Sequence, residues 1–178
     1  ALAARDPRVR AEVVTKEGGT TLTEAAVARG LRWLSQHQNS DGSWSLHRFS
    51  RSDLCGGRCR SHGSVRSDSA GTSLALLPFL GAGQTHQVGI YQDTVAKGLR
   101  WLLQHQKDDG DLRGRSQSNA AMYAHGQGAI VLCEAFALTG DRMIGDAAQR
   151  AVDFIVNAQH EEGGWRYAPG ERGDTSVL

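Results

Sequence analysis

The chain of 178 residues is long enough to bury one sizeable core and short for two. Hydrophobic residues at 39% and charged residues at 22% argue against disorder, and no run approaches the roughly 18 apolar residues of a membrane-spanning helix. A net charge of +1 gives no overall field for nucleic acid or an anionic membrane, so neither is an expected partner. The one compositional excess is glycine, at 22 residues, and its meaning depends on placement.

Residues 1–21 read as a loosely ordered N-terminal extension and residues 22–178 as one repeat domain. The first helix carries Val27, Leu31 and Leu34 on one face at i, i+4 and i+7. Thr21 and Glu24 form a capping-box pattern at its start. His37 falls in its last turn, where a donor or cation suits the helix dipole. A turn follows with Gln38, Asp41, Gly42 and Trp44.

Residues 46–66 form an insertion without a counterpart later in the chain. It holds Cys55, Cys59 and His62 in a Cys-x3-Cys-x2-His spacing, with His47 nearby, which offers a set of zinc ligands. A Cys55–Cys59 disulfide is the preferred reading, because Gly56 and Gly57 permit a tight loop, and it implies an extracytoplasmic, oxidising location. Free thiols are the third reading. Arg48, Arg51, Arg58 and Arg60 give the loop a local positive excess suited to an anionic group such as a phosphate or diphosphate.

A second helix, over residues 69–81, is apolar nearly all round and reads as the buried partner of the first, with a bend at Pro78. The pattern then repeats. Val95, Leu99 and Leu102 mark a helix whose Trp101 and His105 match Trp33 and His37, with Asp93 placed to cap it. Its turn carries Gln106, Asp109 and Gly110, with Leu112 where the first turn has Trp44. The acidic cluster of Asp108, Asp109 and Asp111 reads as a solvated, ionised turn. An apolar helix over residues 123–140 follows, in which Cys133 reads as core. A third, diverged copy is capped by Asp141, places Phe154 at the Trp33 position, and closes with Gln159, Gly163 and Trp165. Gly30 and Gly98 match between the first helices and suggest close helix approach. Asp174 would open a further helix where the sequence stops, so the chain reads as a piece of something longer, with about two and a half helical hairpins.

A polar-faced helix, a Gln-x-x-(Asp/Glu)-Gly-x-Trp turn and an apolar helix, repeated, resembles the prenyltransferase and squalene-oxidase repeat with its QW motif, the squalene-hopene cyclase-like type. The resemblance implies an all-α fold, a partial α/α toroid of antiparallel helical hairpins around a central cavity. It implies an apolar or isoprenoid ligand, and closure by missing repeats of the same protein or by another copy. Cyclases of this kind protonate their substrate through an Asp-x-Asp-Asp motif, which does not occur here. Prenyltransferases of this kind hold zinc with Asp, Cys and His near the starts of inner helices. Asp68, His125 and Asp174 occupy such starts, but the Cys has no match and Asp is also an ordinary cap. No cofactor is therefore assigned, with zinc left open.

The favoured function is a repeat domain, non-catalytic as it stands, that binds a partner or an apolar ligand. One alternative is a fragment of a terpenoid cyclase or prenyltransferase-like enzyme. A second is a polysaccharide-processing enzyme on an α/α toroid, for which Tyr123 and His125 would form the reacting pair.

Overall fold

The computed structural model describes residues 7–51 and 55–173. Its described residues form six α-helices, two short 3-10 turns and no strand, an all-α architecture consistent with part of an α/α toroid. The helices are α1 (Pro7–Lys16), α2 (Thr21–Gln36), α3 (Asp68–Gly81), α4 (Gln92–His105), α5 (Ala121–Thr139) and α6 (Arg142–Asn157). None is long and apolar enough to cross a membrane. The N-terminal segment read as loosely ordered contains α1, which is tied to α2 by an Arg10–Glu24 ion pair.

Helices α2, α4 and α6 are amphipathic, and α3 and α5 are apolar over most of their surface. On α6 the buried residues Ile144, Ala147, Ala148, Ala151 and Phe154 trace a single stripe. Buried positions on α3 run almost continuously from Ser69 to Thr72 and on to Leu80, because this helix lies between others. Leu76, Phe79, Leu80, Val95, Leu102, Leu112, Val131, Leu132 and Ala151 belong to one continuous core.

The closest packing joins each apolar helix to the polar-faced helix that follows it, α3 to α4 and α5 to α6, and also joins α3 to α5. The sequence reading paired each apolar helix with the helix before it. Connection length explains the difference. Gly140 and Asp141 alone separate α5 from α6, whereas residues 37–67 separate α2 from α3 and let them stand apart.

The helix starts also differ in detail from the reading. Thr20, not Thr21, caps α2, with Thr23 completing the box; Glu24 is drawn to Arg10 instead. Tyr91 precedes α4 without a side-chain cap, leaving Asp93 inside the first turn, where an acid still favours the dipole. Asp141 does cap α6, accepting from the Met143 amide.

Candidate functional site

The two Gln turns share one geometry. Gln38 Nε2 donates to the Gly42 carbonyl and to the Thr94 carbonyl of α4, both at 2.9 Å. Gln106 Nε2 donates to Gly110 O at 3.2 Å and to Ala147 O of α6 at 2.9 Å. Each Gln therefore closes its own turn and also staples one polar-faced helix to the next. Gly42 and Gly110 have φ of +92° and +90°, and a Cβ at either would meet a backbone carbonyl of the next helix, Lys97 O or Arg150 O. Only glycine fits that approach. Asp41 and Asp109 each accept from the amide two residues on. Trp44 is buried and donates from Nε1 to Leu34 O, and Trp165 does the same to Ile155 O. Gln159 is exposed and Gly163 has φ of +87°.

The acidic turn departs from its sequence reading. Asp111 is 1% exposed rather than solvated. Burial alone would raise its carboxyl, but hydrogen bonds from Arg113 and Lys107 and from the Arg113 amide outweigh this and hold it at about 2. Asp109 stays on the surface.

Asp68 and His125, each near the start of an apolar helix, face different spaces. Ser67, not Asp68, caps α3, accepting from the Ala70 amide at 3.0 Å. Asp68 pairs with Arg48 at 3.3 Å and lines a polar cleft of about 520 Å³ shared with Asp41, His47, Arg66, His105 and Arg115. His125 is fully buried. Its Nδ1 accepts from the Leu112 amide and its Nε2 donates to Ala151 O, both at 3.0 Å. Burial lowers its pKa, so it stays neutral. Both ring nitrogens are thus committed to backbone, and neither is free to serve Tyr123 as an acid or base. Tyr123 is half exposed, with its ring against Tyr167. Asp174 lies outside the described residues.

Between α5, α6 and the last turn lies an apolar groove of about 780 Å³, lined by Tyr123, Ile130, Cys133, Val152, Ile155 and Trp165 among others. Cys133 faces this groove and is not core, because α5 turns that side away from α3. Ile130 and Val156 on the two helices are more than half exposed. Gln127 also lines the groove, and its side-chain oxygen is buried without a hydrogen-bond partner.

Phe49, Cys55 and Cys59 of the insertion lie against the end of α2. Cys55 and Cys59 are free thiols, in place of the expected disulfide. Their sulfurs and a His37 ring nitrogen all lie within 4.8 Å of one another. His47 and His62, the histidines that spacing nominated, bind Ser45 and Ser50 through Nδ1 and do not join the group. Sequence reasoning missed His37, whose contact with Cys59 spans 22 residues and leaves no local signal. Of the four arginines, Arg48 serves Asp68 and Arg58 donates to the Cys55 carbonyl, while Arg51 and Arg60 are exposed. They do not converge on one anion.

Comparison with known proteins agrees with this architecture. Residues 12–123 match the squalene-hopene cyclase C-terminal domain. A squalene–hopene cyclase of Bradyrhizobium diazoefficiens is 26% identical over 156 residues, covering 84% of this chain and 22% of that protein. A terpene cyclase-glycosyl transferase fusion protein of Humicola fuscoatra is 27% identical over 160 residues, covering 79% of this chain and 11% of that protein. The chain thus spans about a fifth and about a tenth of the length of these relatives. No solved structure matches it.

Proposed function

This chain belongs to the squalene-hopene cyclase C-terminal domain family, and on that premise we propose that it binds an apolar, isoprenoid-type ligand through the α5–α6 groove without itself supplying a catalytic acid. The observation that carries the reading is the groove. Its volume of about 780 Å³ falls in the range of small-molecule sites, and its wall combines aliphatic side chains with the rings of Tyr123 and Trp165. Removing such a ligand from water is favourable by about 25 cal/mol per Å² of apolar surface buried. The Gln127 amide and the Glu134 carboxylate offer polar contacts at the wall.

The non-catalytic half of the proposal rests on the carboxylates. A proton donor to an alkene must be held protonated, which requires a raised pKa. The chain has no Asp-x-Asp-Asp sequence. Among the described residues the most buried acid, Asp111, is held at about 2, the opposite of what a donor needs, and Asp68 is paired with Arg48. Further repeats or a second copy would close the open side of the groove.

Displacement of a hydrophobic fluorescent dye by squalene tests the reading. Val152→Asp should abolish binding while circular dichroism stays helical. Equal binding by that variant, or no binding by the parent chain, would overturn the groove. Cyclised product detected by gas chromatography would overturn the non-catalytic half.

A further inference from the structure

We propose that His37, Cys55 and Cys59 form a binding site for a divalent ion of the zinc class, which clamps the insertion onto the end of α2. Three independent features of the site argue for it.

The first is the histidine. His37 is 4% exposed and its Nδ1–H donates to the Trp33 carbonyl at 2.6 Å. That bond leaves the Nε2 lone pair unprotonated, and Nε2 sits 3.2 Å from Cys59 Sγ. A backbone carbonyl holding one ring nitrogen while the other faces soft ligands is the arrangement that orients metal-binding histidines. Stacking on Trp33, with ring centroids 3.8 Å apart, fixes the ring plane.

The second is the loop. Gly56 and Gly57 have φ of +56° and +72°, a left-handed pair that reverses the chain so that Cys55 and Cys59 point to the same side. The Arg58 amide donates to the Cys55 carbonyl at 3.2 Å, closing the turn. Amides of Cys59, Arg58 and Gly57 lie around the Cys55 sulfur and, with Cys59 first among them, favour its thiolate. Thiolates are the form that binds a metal.

The third is size. Tetrahedral zinc, with bonds of about 2.3 Å to sulfur and about 2.0 Å to nitrogen, places its ligand atoms roughly 3.5–4 Å apart. The three atoms here already lie within 4.8 Å. Three protein ligands leave the fourth position to water.

The matching place in the second repeat is a built-in control. His105 makes the same Nδ1 bond to Trp101 O, at 2.8 Å, and the same stack on Trp101, at 3.9 Å, but it is exposed and meets no thiol. Capping alone therefore accounts for a histidine at this position and does not account for burying one beneath two cysteines.

The test is titration of the reduced chain with Zn²⁺ against a chromophoric chelator, repeated with Co²⁺ to detect thiolate-to-metal absorption. The expected result is one ion per chain with a thiolate band. Affinity should fall by at least about 100-fold in Cys59→Ser and in His37→Asn. His105→Asn and His62→Ala should bind as the parent does. Absence of stoichiometric binding would overturn the site. So would undiminished affinity in the Cys55→Ser/Cys59→Ser double variant, or a Cys55–Cys59 disulfide in protein isolated with an alkylating quench.

Discussion

The first and second repeats carry nearly the same words, Gly30-Leu31-Arg32-Trp33 and Gly98-Leu99-Arg100-Trp101 followed by Gln-His-Gln, and the fold uses them differently. Trp101 is 7% exposed and Trp33 is 42% exposed. Gly98 lies against Leu76 and Trp44, whereas a Cβ at Gly30 would meet nothing within 4 Å. The reversal holds for the histidines, since His37 is buried and His105 is exposed. The cause is position in the stack. Helix α4 has α3 beside it and is stapled on both sides, to α2 through Gln38 and to α6 through Gln106, while α2 has such a staple on one side. The insertion fills part of that gap, covering His37 and laying Phe49 against Trp33. Identical local sequence therefore fixes a hydrogen bond and a ring stack, and the neighbours decide whether they are buried.

The widest gap between the repeats should appear at His125. It is the buried partner of the second turn's Leu112 amide, and Thr72 Oγ1 fills that role for Trp44 in the first. His125→Ala leaves a buried donor and a buried acceptor unpaired, for an expected loss of about 3–5 kcal/mol in urea unfolding. Thr72→Val strands one group and should cost about 1–2 kcal/mol. Equal losses would mean that the turns are held by something other than these bonds.

Acid should separate the repeats next. Asp111 is ionised and buried, and Ser43 stands at its place in the first turn. Because its folded pKa of about 2 lies below the ordinary 3.8, its contribution of about 2 kcal/mol is complete above pH 4 and is lost as pH falls through 2. The lowered pKa of His125 acts in the same direction at higher pH, where stability is full above about 6.5 and declines as the solution acidifies. Asp111→Asn should flatten the lower limb of the stability–pH curve and His125→Gln the upper one. An unchanged curve in both variants would break the assignment.

A smaller contrast lies in the staples. Gln38→Ala and Gln106→Ala each remove two bonds to backbone carbonyls and should cost about 1–2 kcal/mol. The second should cost more, because Gln106 also accepts from Arg150. The smallest effect is also the sharpest in sign. Gly30→Ala should stabilise by about 0.5–1 kcal/mol through helix propensity. Gly98→Ala should destabilise by about 1 kcal/mol, since its Cβ would come within 2.9 Å of Leu76 and Trp44. Thermal melts of the pair moving in the same direction would contradict the packing difference.

Much of this could be read from the chain before folding. The repeat register, the amphipathic faces of α2, α4 and α6, the apolar character of α3 and α5, and the turn roles of Gln38, Gly42, Gln106 and Gly110 were all legible. Each is set by periodicity or by the backbone chemistry of a few adjacent residues. The sites were far less so. Asp68 and His125 both lie near the start of an apolar helix and end in different environments, and Asp111 in an acidic turn becomes the most buried carboxylate described. Loop spacing nominated His47 and His62 as companions of the two cysteines, while the chain supplied His37 from the preceding helix.

The sequence by itself thus determined an all-helical repeat and the local geometry of each turn, because those depend on contacts within a few residues. Only the tertiary structure decided which helix each apolar helix packs against, which histidine is buried, and that the thiols of residues 46–66 meet the end of α2. Those outcomes depend on connection length and on partners 20 to 60 residues away, across which no pattern in the chain extends.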